Sequence, residues 1–353
     1  MNTHQAIELL QRLIATPSVS RDEAAAADIM QSAIEELGFV AHRKGNNVWA
    51  EVREHNPNKP TILLDAHIDT VKPNASWVRD PFQPTIEDGR LYGLGSNDTG
   101  GSVVALLAAF VALAKREQPY NLIYMASAEE EVTGAGGVRA VLAELGEIDF
   151  AIVGEPTEMQ PAIAEKGLMV LDCVAKGRVG HAAREEGVNA IYEALTDIEW
   201  FRTHRFERVS PFLGAVKMTV TGIEAGVQHN VIPDICRFMV DVRVNECYQN
   251  EELLGEIRKG VKCEVTPRST HLNSSAIEVT HPAVERLVAM GRVPFGSPTM
   301  SNQAVMPFTT LKLGPGDSAR SHTADEYILL DEVAEAIEMY EQVLDNLIIE
   351  KSK

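Results

Sequence analysis

The first half of the chain alternates strand-like and helical segments, and this order limits the fold more than any other feature of the sequence. Four strand-like runs occur, namely NNVWAEV, TILLDAHID, NLIYMASA and FAIVGEP, with helical segments at 103–115 and 135–145. Before them we predict helices in HQAIELLQRLIA and in SRDEAAAADIMQSAIEELG, the second capped by Ser20 and closed by Gly38. Such alternation predicts an α/β domain with a largely parallel sheet, whose polar site lies at the carboxyl ends of the strands.

From about residue 166 the pattern changes to long strand-like stretches with two helical segments, at about 188–202 and 250–259. This order suits a small antiparallel sheet covered by two helices on one face. The α/β pattern returns after residue 280 and closes with the helix LDEVAEAIEMYEQVLDNLI. A chain of 353 residues also exceeds the size of an ordinary single core. We therefore predict a discontinuous domain of residues 1–165 and 281–353, interrupted by a smaller domain of residues 166–280.

Composition excludes some partners. The chain has 32 Lys and Arg against 51 Asp and Glu, and its formal net charge of -19 would repel nucleic acid and anionic membranes. The amino-terminal segment lacks the basic leader and apolar core of a signal peptide, and no stretch approaches the ~20 apolar residues of a membrane span. Without CxxC pairs, we expect free thiols in a reducing cytoplasm for the four cysteines, Cys173, Cys236, Cys247 and Cys263.

The run LLDAHIDTV places His67 and Asp69 on the same side of a strand, near its carboxyl end. A metal-ligating imidazole usually has its second ring nitrogen held by a carboxylate or a carbonyl oxygen. Short polar pairs at strand ends are also commonplace, so this pair alone is weak evidence for a metal.

Asp98 lies in YGLGSNDTGG, just before an apolar helical run. Asp is a preferred N-cap residue, so a helix cap is the alternative to a metal ligand. The surrounding glycines allow unusual backbone angles and close approach to a ligand. They do not form a phosphate loop, because no Lys follows in a GK[ST] arrangement.

Three consecutive acids, Glu129, Glu130 and Glu131, directly follow the strand-like run NLIYMASA. A solvated charge run is the ordinary interpretation of such a triplet. Its position at the sheet edge predicted for His67 favours a division of labour, in which one carboxylate binds metal and its neighbour handles a proton.

Two further candidates occupy loops: Glu155 in VGEPT, and His322 in GPGDSARSHTADEY. Either could be a loop residue without a role. Taken with the earlier segments, they complete a set of two imidazoles and three carboxylates. This mixed nitrogen and oxygen set suits zinc and leaves an open position for a hydrolytic water.

In order, the five segments resemble those of the acetylornithine deacetylase / succinyl-diaminopimelate desuccinylase / glutamate carboxypeptidase family of two-zinc amidohydrolases, over nearly the whole chain. The resemblance implies a zinc-exopeptidase-like α/β catalytic domain with a mostly parallel sheet, interrupted by a smaller α+β lid and dimerisation domain. It implies two zinc ions, with cobalt or manganese able to substitute. The implied zinc ligands are His67, Asp98, Glu131, Glu155 and His322, with Asp98 bridging both metals. Asp69 would orient His67, and Glu130 would be the general base.

The inserted segment GRVGHAA resembles the family element whose histidine reaches the active site of the partner subunit, which implies a homodimer with His181 supporting the oxyanion. The stretch GVQHNVIPDICRFMVDVR is similar to a family segment that points to Asn230 and Arg243 as substrate contacts. Arg243 could instead pair with Asp241, since ion pairs of this kind are common.

Two departures from the family pattern stand out. At the bridging aspartate the family commonly has Asp-Met-Lys-Gly-Gly, whereas this chain has a glycine, Gly100, in place of the lysine. A nearby positive charge is therefore lost. In the acidic triplet, Glu129 replaces the usual aspartate, which leaves open which adjacent pair is functional.

The resemblance implies amide hydrolysis, with Glu130 taking the proton of a zinc-activated water. The segment around His322 looks closest to deacylases of acetylornithine type, and Arg320 lies where it could meet a substrate carboxylate or face solvent. We expect removal of an acetyl or succinyl group from ornithine or citrulline, in arginine biosynthesis. Alternatives are succinyl-diaminopimelate desuccinylation, dipeptide cleavage and, in another class, a non-catalytic zinc-binding protein. A base beside the ligand Glu131 favours the enzyme.

Overall fold

A mixed β-sheet with a parallel centre dominates the larger of the two units into which the computed structural model divides the chain. The structure describes residues 1–52, 55–184 and 186–351. Unit 1 comprises Met1–Ile163, Ile277–Phe295 and Ser301–Lys353, and unit 2 comprises Ala164–Ala276 and Gly296–Met300. The domain boundaries predicted from the sequence lie near residues 165 and 280.

The elements are as follows. The helices are α1 (Thr3–Ile14), α2 (Ala24–Glu36), α3 (Gly101–Leu113), α4 (Ala190–Thr203), α5 (Asn250–Gly260), α6 (Pro282–Ala289) and α7 (Leu330–Leu344). The strands are β1 (His42–Lys44), β2 (Asn47–Glu51), β3 (Thr61–His67), β4 (Thr85–Glu87), β5 (Arg90–Tyr92), β6 (Asn121–Ser127), β7 (Phe150–Val153), β8 (Ala162–Glu165), β9 (Gly167–Lys176), β10 (Gly180–His181), β11 (Lys217–Ala225), β12 (Val231–Ile232), β13 (Ile235–Val244), β14 (Glu264–Pro267), β15 (Ser275–Ala276), β16 (Phe295–Ser297), β17 (Thr309–Lys312) and β18 (Tyr327–Leu329).

The large sheet has the order β1-β2-β6-β3-β7-β17-β8-β15, with β16 paired to β8. Strand β3 pairs in parallel with both β6 and β7, and β17 pairs in parallel with β7. Every residue of β3, β6 and β7 is buried, as expected for strands covered on both faces. Because these strands run the same way, their carboxyl ends meet at one edge. The predicted α/β fold class is confirmed.

Helix α3 packs on β3 and β6 and contacts α1 and α7. Nearly all of its side chains are buried, so it is apolar all round rather than amphipathic. The stretch Ser96–Leu113, with a mean hydropathy of 1.3, is long and apolar enough to cross a membrane by length and composition alone. However, 89% of this stretch is buried inside the protein, as in a core helix.

Unit 2 contains a four-stranded antiparallel sheet with the order β11-β13-β9-β14. Side chains of β9 and β13 alternate between buried and partly exposed, which gives the sheet one core face. Residues of α4 and α5 share the apolar cluster on that face, so both helices cover it as predicted. All four cysteines are free thiols.

Two local predictions were wrong. The segment 135–145 contains only a single 3-10 turn, Val138–Ala140, because most of its backbone hydrogen bonds span three residues instead of four. Its apolar side chains pack with those of the central strands. Ser20 does not cap α2, which has Glu23 at its N-cap. The Ser20 hydroxyl instead donates to Asp69 Oδ2 at 2.8 Å.

Candidate metal centre

The carboxyl ends of the three parallel strands β3, β6 and β7 bring the predicted site residues of unit 1 together. His67 ends β3, the acidic triplet 129–131 follows β6, and Glu155 follows β7 by two residues. Asp98 arrives on the loop before α3, and His322 on the loop between β17 and β18. The strand order therefore brings five segments that are distant in sequence together in one cluster at the sheet edge.

The orientation of His67 follows from its hydrogen bonds. Its Nδ1 lies 2.9 Å from the backbone carbonyl oxygen of Asp69, which can only accept, so Nδ1 carries the hydrogen. Nε2 then faces the acids, at 3.3 Å from Asp98 Oδ1 and 3.9 Å from Glu155 Oε1. This is the arrangement in which an imidazole offers Nε2 to a metal.

The Asp69 carboxylate accepts hydrogen bonds mainly from the backbone of the acidic triplet. Its Oδ1 accepts the Glu130 N–H at 3.0 Å, and its Oδ2 accepts the Glu131 N–H at 3.1 Å. Its Oδ1 is 3.5 Å from Nδ1 of His67, farther than the carbonyl oxygen of the same residue. Asp69 therefore links His67 to Glu130 and Glu131, with the Ser20 hydroxyl as a third donor.

Asp98 is not a helix cap, so that alternative is wrong. The N-cap position of α3 is Gly100, which has no side chain to bond the first turn. The Asp98 backbone is non-helical, and its N–H donates to Glu326 Oε1 at 2.9 Å. Gly95, with a φ of +76°, turns the chain three residues before Asp98. The Asp98 side chain is therefore free to face His67 and His322.

The structure separates the three consecutive glutamates. Glu129 has a φ of +54° and turns its carboxylate back to accept the Gly136 N–H at 3.1 Å. Glu130 and Glu131 face the cluster, and Glu131 Oε2 lies 3.0 Å from Nε2 of His322. The adjacent pair in the cluster is thus 130 and 131, as the predicted roles require.

Among the residues that the structure describes, two groups of side chains offer ligand atoms that lie within 4.8 Å of one another: His67, Asp98 and Glu131, and His67, Glu130 and Glu155. His322 Nε2 extends the first group, at 3.5 Å from Asp98 Oδ2. Four carboxylates in this space, each at most 11% exposed at its side chain, repel one another unless cations lie between them. This mixed nitrogen and oxygen donor set fits divalent metal ions.

Burial and the neighbouring carboxylates raise the pKa values of two acids in the cluster, Glu130 and Glu155. Burial, opposed by His67 and reinforced by the neighbouring acids, raises the pKa of Glu130 to about 8. Burial also raises the pKa of Glu155 well above its usual range, although Lys312 lowers it. A carboxyl group whose pKa is near neutrality can exchange protons at working pH.

The pKa values of both histidines are raised, which is the opposite of the effect of burial alone. Burial would lower the pKa of His67, but its contacts with Asp69 and Asp98 raise it well above the usual value. The contact with Glu131 raises the pKa of His322 to about 9. These contacts favour the doubly protonated, cationic form of both imidazoles when no metal is present, and this positive charge balances part of the carboxylate charge.

Two buried residues at this site were missed by the sequence analysis. Glu326 is 2% exposed and accepts the backbone N–H groups of Gly95, Asn97 and Asp98. Asn97 is fully buried and bonds the loop that carries His322. The only sequence signal was the acidic pair that follows His322 in HTADEY.

The remaining predicted residues have other surroundings. Arg320 forms a two-pronged ion pair with Glu332, at 2.7 and 3.0 Å, and lies over the Tyr327 ring. In unit 2, Arg243 forms the alternative pair with Asp241, at 2.9 and 3.1 Å. Also in unit 2, His181 is exposed in β10, and its backbone pairs with that of Val231. The Asn230 carbonyl oxygen accepts the Ala182 N–H at 3.0 Å, and Asn230 is exposed.

Comparisons with known proteins identify the family of the chain. Residues 63–346 match the model of peptidase family M20/M25/M40. The chain is 30% identical to an acetylornithine deacetylase of Pectobacterium carotovorum, covering 98% of both chains. It is 28% identical to a succinyl-diaminopimelate desuccinylase of Stenotrophomonas maltophilia, covering 97% of this chain and 99% of that one. The fold resembles that of the Bacillus subtilis YXEP protein, described as a dinuclear metal binding peptidase, with a TM-score of 0.73, 17% identity and 97% of both chains covered.

Proposed function

Because the chain belongs to peptidase family M20/M25/M40, we propose that it removes the acyl group from an N-acyl amino acid, preferentially N-acetyl- or N-succinyl-ornithine or -citrulline. Membership of this family makes the chain a metallohydrolase that acts on amides. The observation that carries the proposal is the convergence of the two histidines with Glu130, Glu131 and Glu155 beside Asp98.

The metal ligands in this proposal are His67, Asp98, Glu131, Glu155 and His322. Asp98 would hold metal together with both histidines, because its Oδ1 faces His67 and its Oδ2 faces His322. When bound there, divalent ions polarise the amide carbonyl and lower the pKa of water. We propose zinc as the metal, with cobalt or manganese able to replace it.

Glu130 is the proton carrier in this proposal. Its backbone N–H is bonded by Asp69, and burial raises its pKa to about 8 in the metal-free protein, so this side chain can hold and release a proton near neutral pH. It takes the proton of the attacking water and returns it to the departing amine. The Asp69 bonds to two successive N–H groups keep this carboxylate adjacent to the ligand Glu131.

The substrate class is supported by the relatives, which act on acetylornithine and on succinyl-diaminopimelate according to their names. We propose His181, supplied by the partner subunit of a homodimer formed through residues 166–280, as the oxyanion donor. Asn230, Arg243 and Arg320 are the proposed substrate contacts, which requires the arginines to exchange their present ion pairs for substrate. The proposed setting is arginine biosynthesis in the cytoplasm.

The test is a mass-spectrometric screen of the zinc-loaded protein against N-acetyl and N-succinyl derivatives of ornithine, citrulline, lysine and diaminopimelate. We expect one ornithine or citrulline derivative to be hydrolysed orders of magnitude faster than the rest. Preference for succinyl-diaminopimelate would establish the desuccinylase alternative. The chain is 28% identical to a succinyl-diaminopimelate desuccinylase over nearly its full length. Two bound metals without hydrolysis of any compound would contradict the proposed deacylation and favour the alternatives of dipeptide cleavage or a non-catalytic zinc-binding protein.

Two adjacent substitutions test the proton carrier. Glu130→Gln keeps the size of the side chain but cannot accept a proton, so turnover should fall about 10²- to 10⁴-fold while metal content is unchanged. Glu129→Gln is the matched control, because its side chain bonds Gly136 outside the cluster and glutamine can still accept that N–H. Comparable turnover of the Glu130→Gln and Glu129→Gln proteins would contradict the assignment.

A further inference from the structure

The loops that carry Asp98 and His322 are bonded to each other by two buried side chains. Glu326, four residues after His322, reaches the loop 93–98, and Asn97, next to Asp98, reaches the loop 316–322. We propose that Asn97 and Glu326 are reciprocal positioning residues, which fix Asp98 and His322 at the spacing needed to bind one metal ion between them.

Glu326 shapes the loop 93–98 from one side. Its Oε2 accepts the Gly95 N–H at 3.0 Å, and its Oε1 accepts the N–H groups of Asn97 at 2.8 Å and Asp98 at 2.9 Å. Its own backbone carbonyl oxygen accepts the Gly93 N–H at 3.0 Å. A loop without regular structure thus has four of its N–H groups bonded by one buried residue, which fixes where Asp98 leaves the backbone.

Asn97 shapes the opposite loop. Its Oδ1 accepts the Asp317 N–H at 3.1 Å, and its Nδ2 donates to the Asp317 carbonyl oxygen at 3.0 Å and to the Ser321 hydroxyl at 3.3 Å. The fit is close, because a Cβ placed on Gly316 would lie 2.2 Å from Asn97 Oδ1. The amide therefore replaces both hydrogen bonds of a strand neighbour at Asp317.

His322 needs this support more than the other proposed ligands do. Its side chain is 54% exposed, whereas those of His67, Asp98, Glu131 and Glu155 are at most 11% exposed. Packing therefore does little to hold the imidazole, and the position of its loop must be set by hydrogen bonds. The hydrogen bonds of Asn97 and Glu326 join that loop directly to the segment that bears Asp98. Asp98 Oδ2 lies 3.5 Å from His322 Nε2.

This inference rests on the proposed two-metal centre, and isosteric substitutions test it. Glu326→Gln places an NH₂ group against backbone N–H donors, and Asn97→Asp places a carboxylate oxygen against the Asp317 carbonyl oxygen. Loss of the groups that orient a metal ligand typically weakens affinity about 10- to 100-fold. We expect each variant to weaken the second of two metal-binding steps by about this factor.

Matched controls lie at the amino ends of the central strands, away from the cluster. Asp149→Asn changes a buried carboxylate that accepts the Thr61 N–H at 2.7 Å. Asn121→Asp changes a buried amide that donates to the carbonyl oxygens of Asn56 and Lys59. Ser321→Ala removes one of the Asn97 contacts from a half-buried position, so it is the milder variant if the buried ones do not fold.

Metal binding is measured by calorimetry with Zn²⁺ under chelator competition, and by the visible absorption of bound Co²⁺, after circular dichroism has shown that each variant is folded. Two binding steps, of which one is weakened in the site variants but not in the controls, would support the inference. Parent-like affinities and Co²⁺ spectra in folded variants would overturn it, as would parent-like values for Ser321→Ala if the other two unfold. A parent protein that binds two metals but hydrolyses no substrate would overturn only the proposed function.

Discussion

Metal binding should strengthen steeply between pH 7 and pH 9, because His322 must lose a proton before it can bind a metal. The contact with Glu131, at 3.0 Å from Nε2, raises the pKa of His322 to about 9. At pH 7 about 99% of this imidazole is therefore protonated in the metal-free protein. Competition with the proton costs about 100-fold in affinity at pH 7 and about twofold at pH 9, so the apparent affinity should rise about 50-fold between them.

Other groups in the cluster also make the apparent metal affinity rise with pH. The pKa of His67 is raised well above its usual value by Asp69 and Asp98, against the effect of burial, so this imidazole must also lose a proton to bind a metal. Burial raises the pKa of Glu155 as well. Because these groups interact, protons leave the cluster collectively rather than from one assigned site. We expect release of at least one proton per protein at pH 7, and of more when His67 and Glu155 also bind metal.

The assay is calorimetric titration of metal-free protein with Zn²⁺ at pH 7, in two buffers with different ionisation enthalpies. The difference in heat gives the number of protons released, and chelator competition at pH values from 6.5 to 9 gives the affinities. His322→Gln is the control, because it should remove one released proton and flatten the pH dependence. No proton release, together with a constant affinity from pH 6.5 to 9, would refute the electrostatic reasoning.

Two further substitutions test features of the loops. Gly100→Ala should destabilise the protein by about 1–3 kcal/mol in urea unfolding, because the added Cβ would lie 2.5 Å from the Gly95 carbonyl oxygen. Gly255→Ala, on an open helical surface with nothing within 4 Å, should not destabilise it, and equal effects of the two would contradict the steric argument. Ser20→Ala removes a donor to Asp69 and should weaken metal affinity about tenfold; an unchanged affinity and pH dependence would show that this bond is dispensable.

Much of the candidate site could be predicted from the sequence because the strands provide its geometry. Apolar runs that end at His67, before Glu129 and before Glu155 predict buried strands, and the carboxyl ends of parallel strands meet at one edge. The identity of the functional pair within the acidic triplet was harder to derive. It depends on the left-handed backbone at Glu129, with a φ of +54°, which turns that side chain toward Gly136. No local pattern of three identical residues contains that information.

The residues that join the loops could not be predicted for a different reason. Glu326 bonds Asp98 across 228 positions of the chain, and an acid in HTADEY has the composition of a solvated loop. Only the folded structure shows that it is 2% exposed. Likewise, Ser20 matched an N-cap pattern, but tertiary contact with Asp69 outweighed that local preference.

The glycine at position 100 has a structural explanation that the sequence comparison did not contain. A side chain there would collide with the Gly95 carbonyl oxygen and with Leu10, each 2.5 Å from the added Cβ, so this loop has no room for a lysine. A positive charge nevertheless reaches the cluster from the sheet. Lys312, which is 2% exposed, ends β17 opposite Val153, two residues before Glu155, and it lowers the pKa of Glu155 against the stronger effect of burial. Lys312 therefore supplies a cationic contribution to the cluster, and it favours the ionised form of Glu155 needed to bind metal.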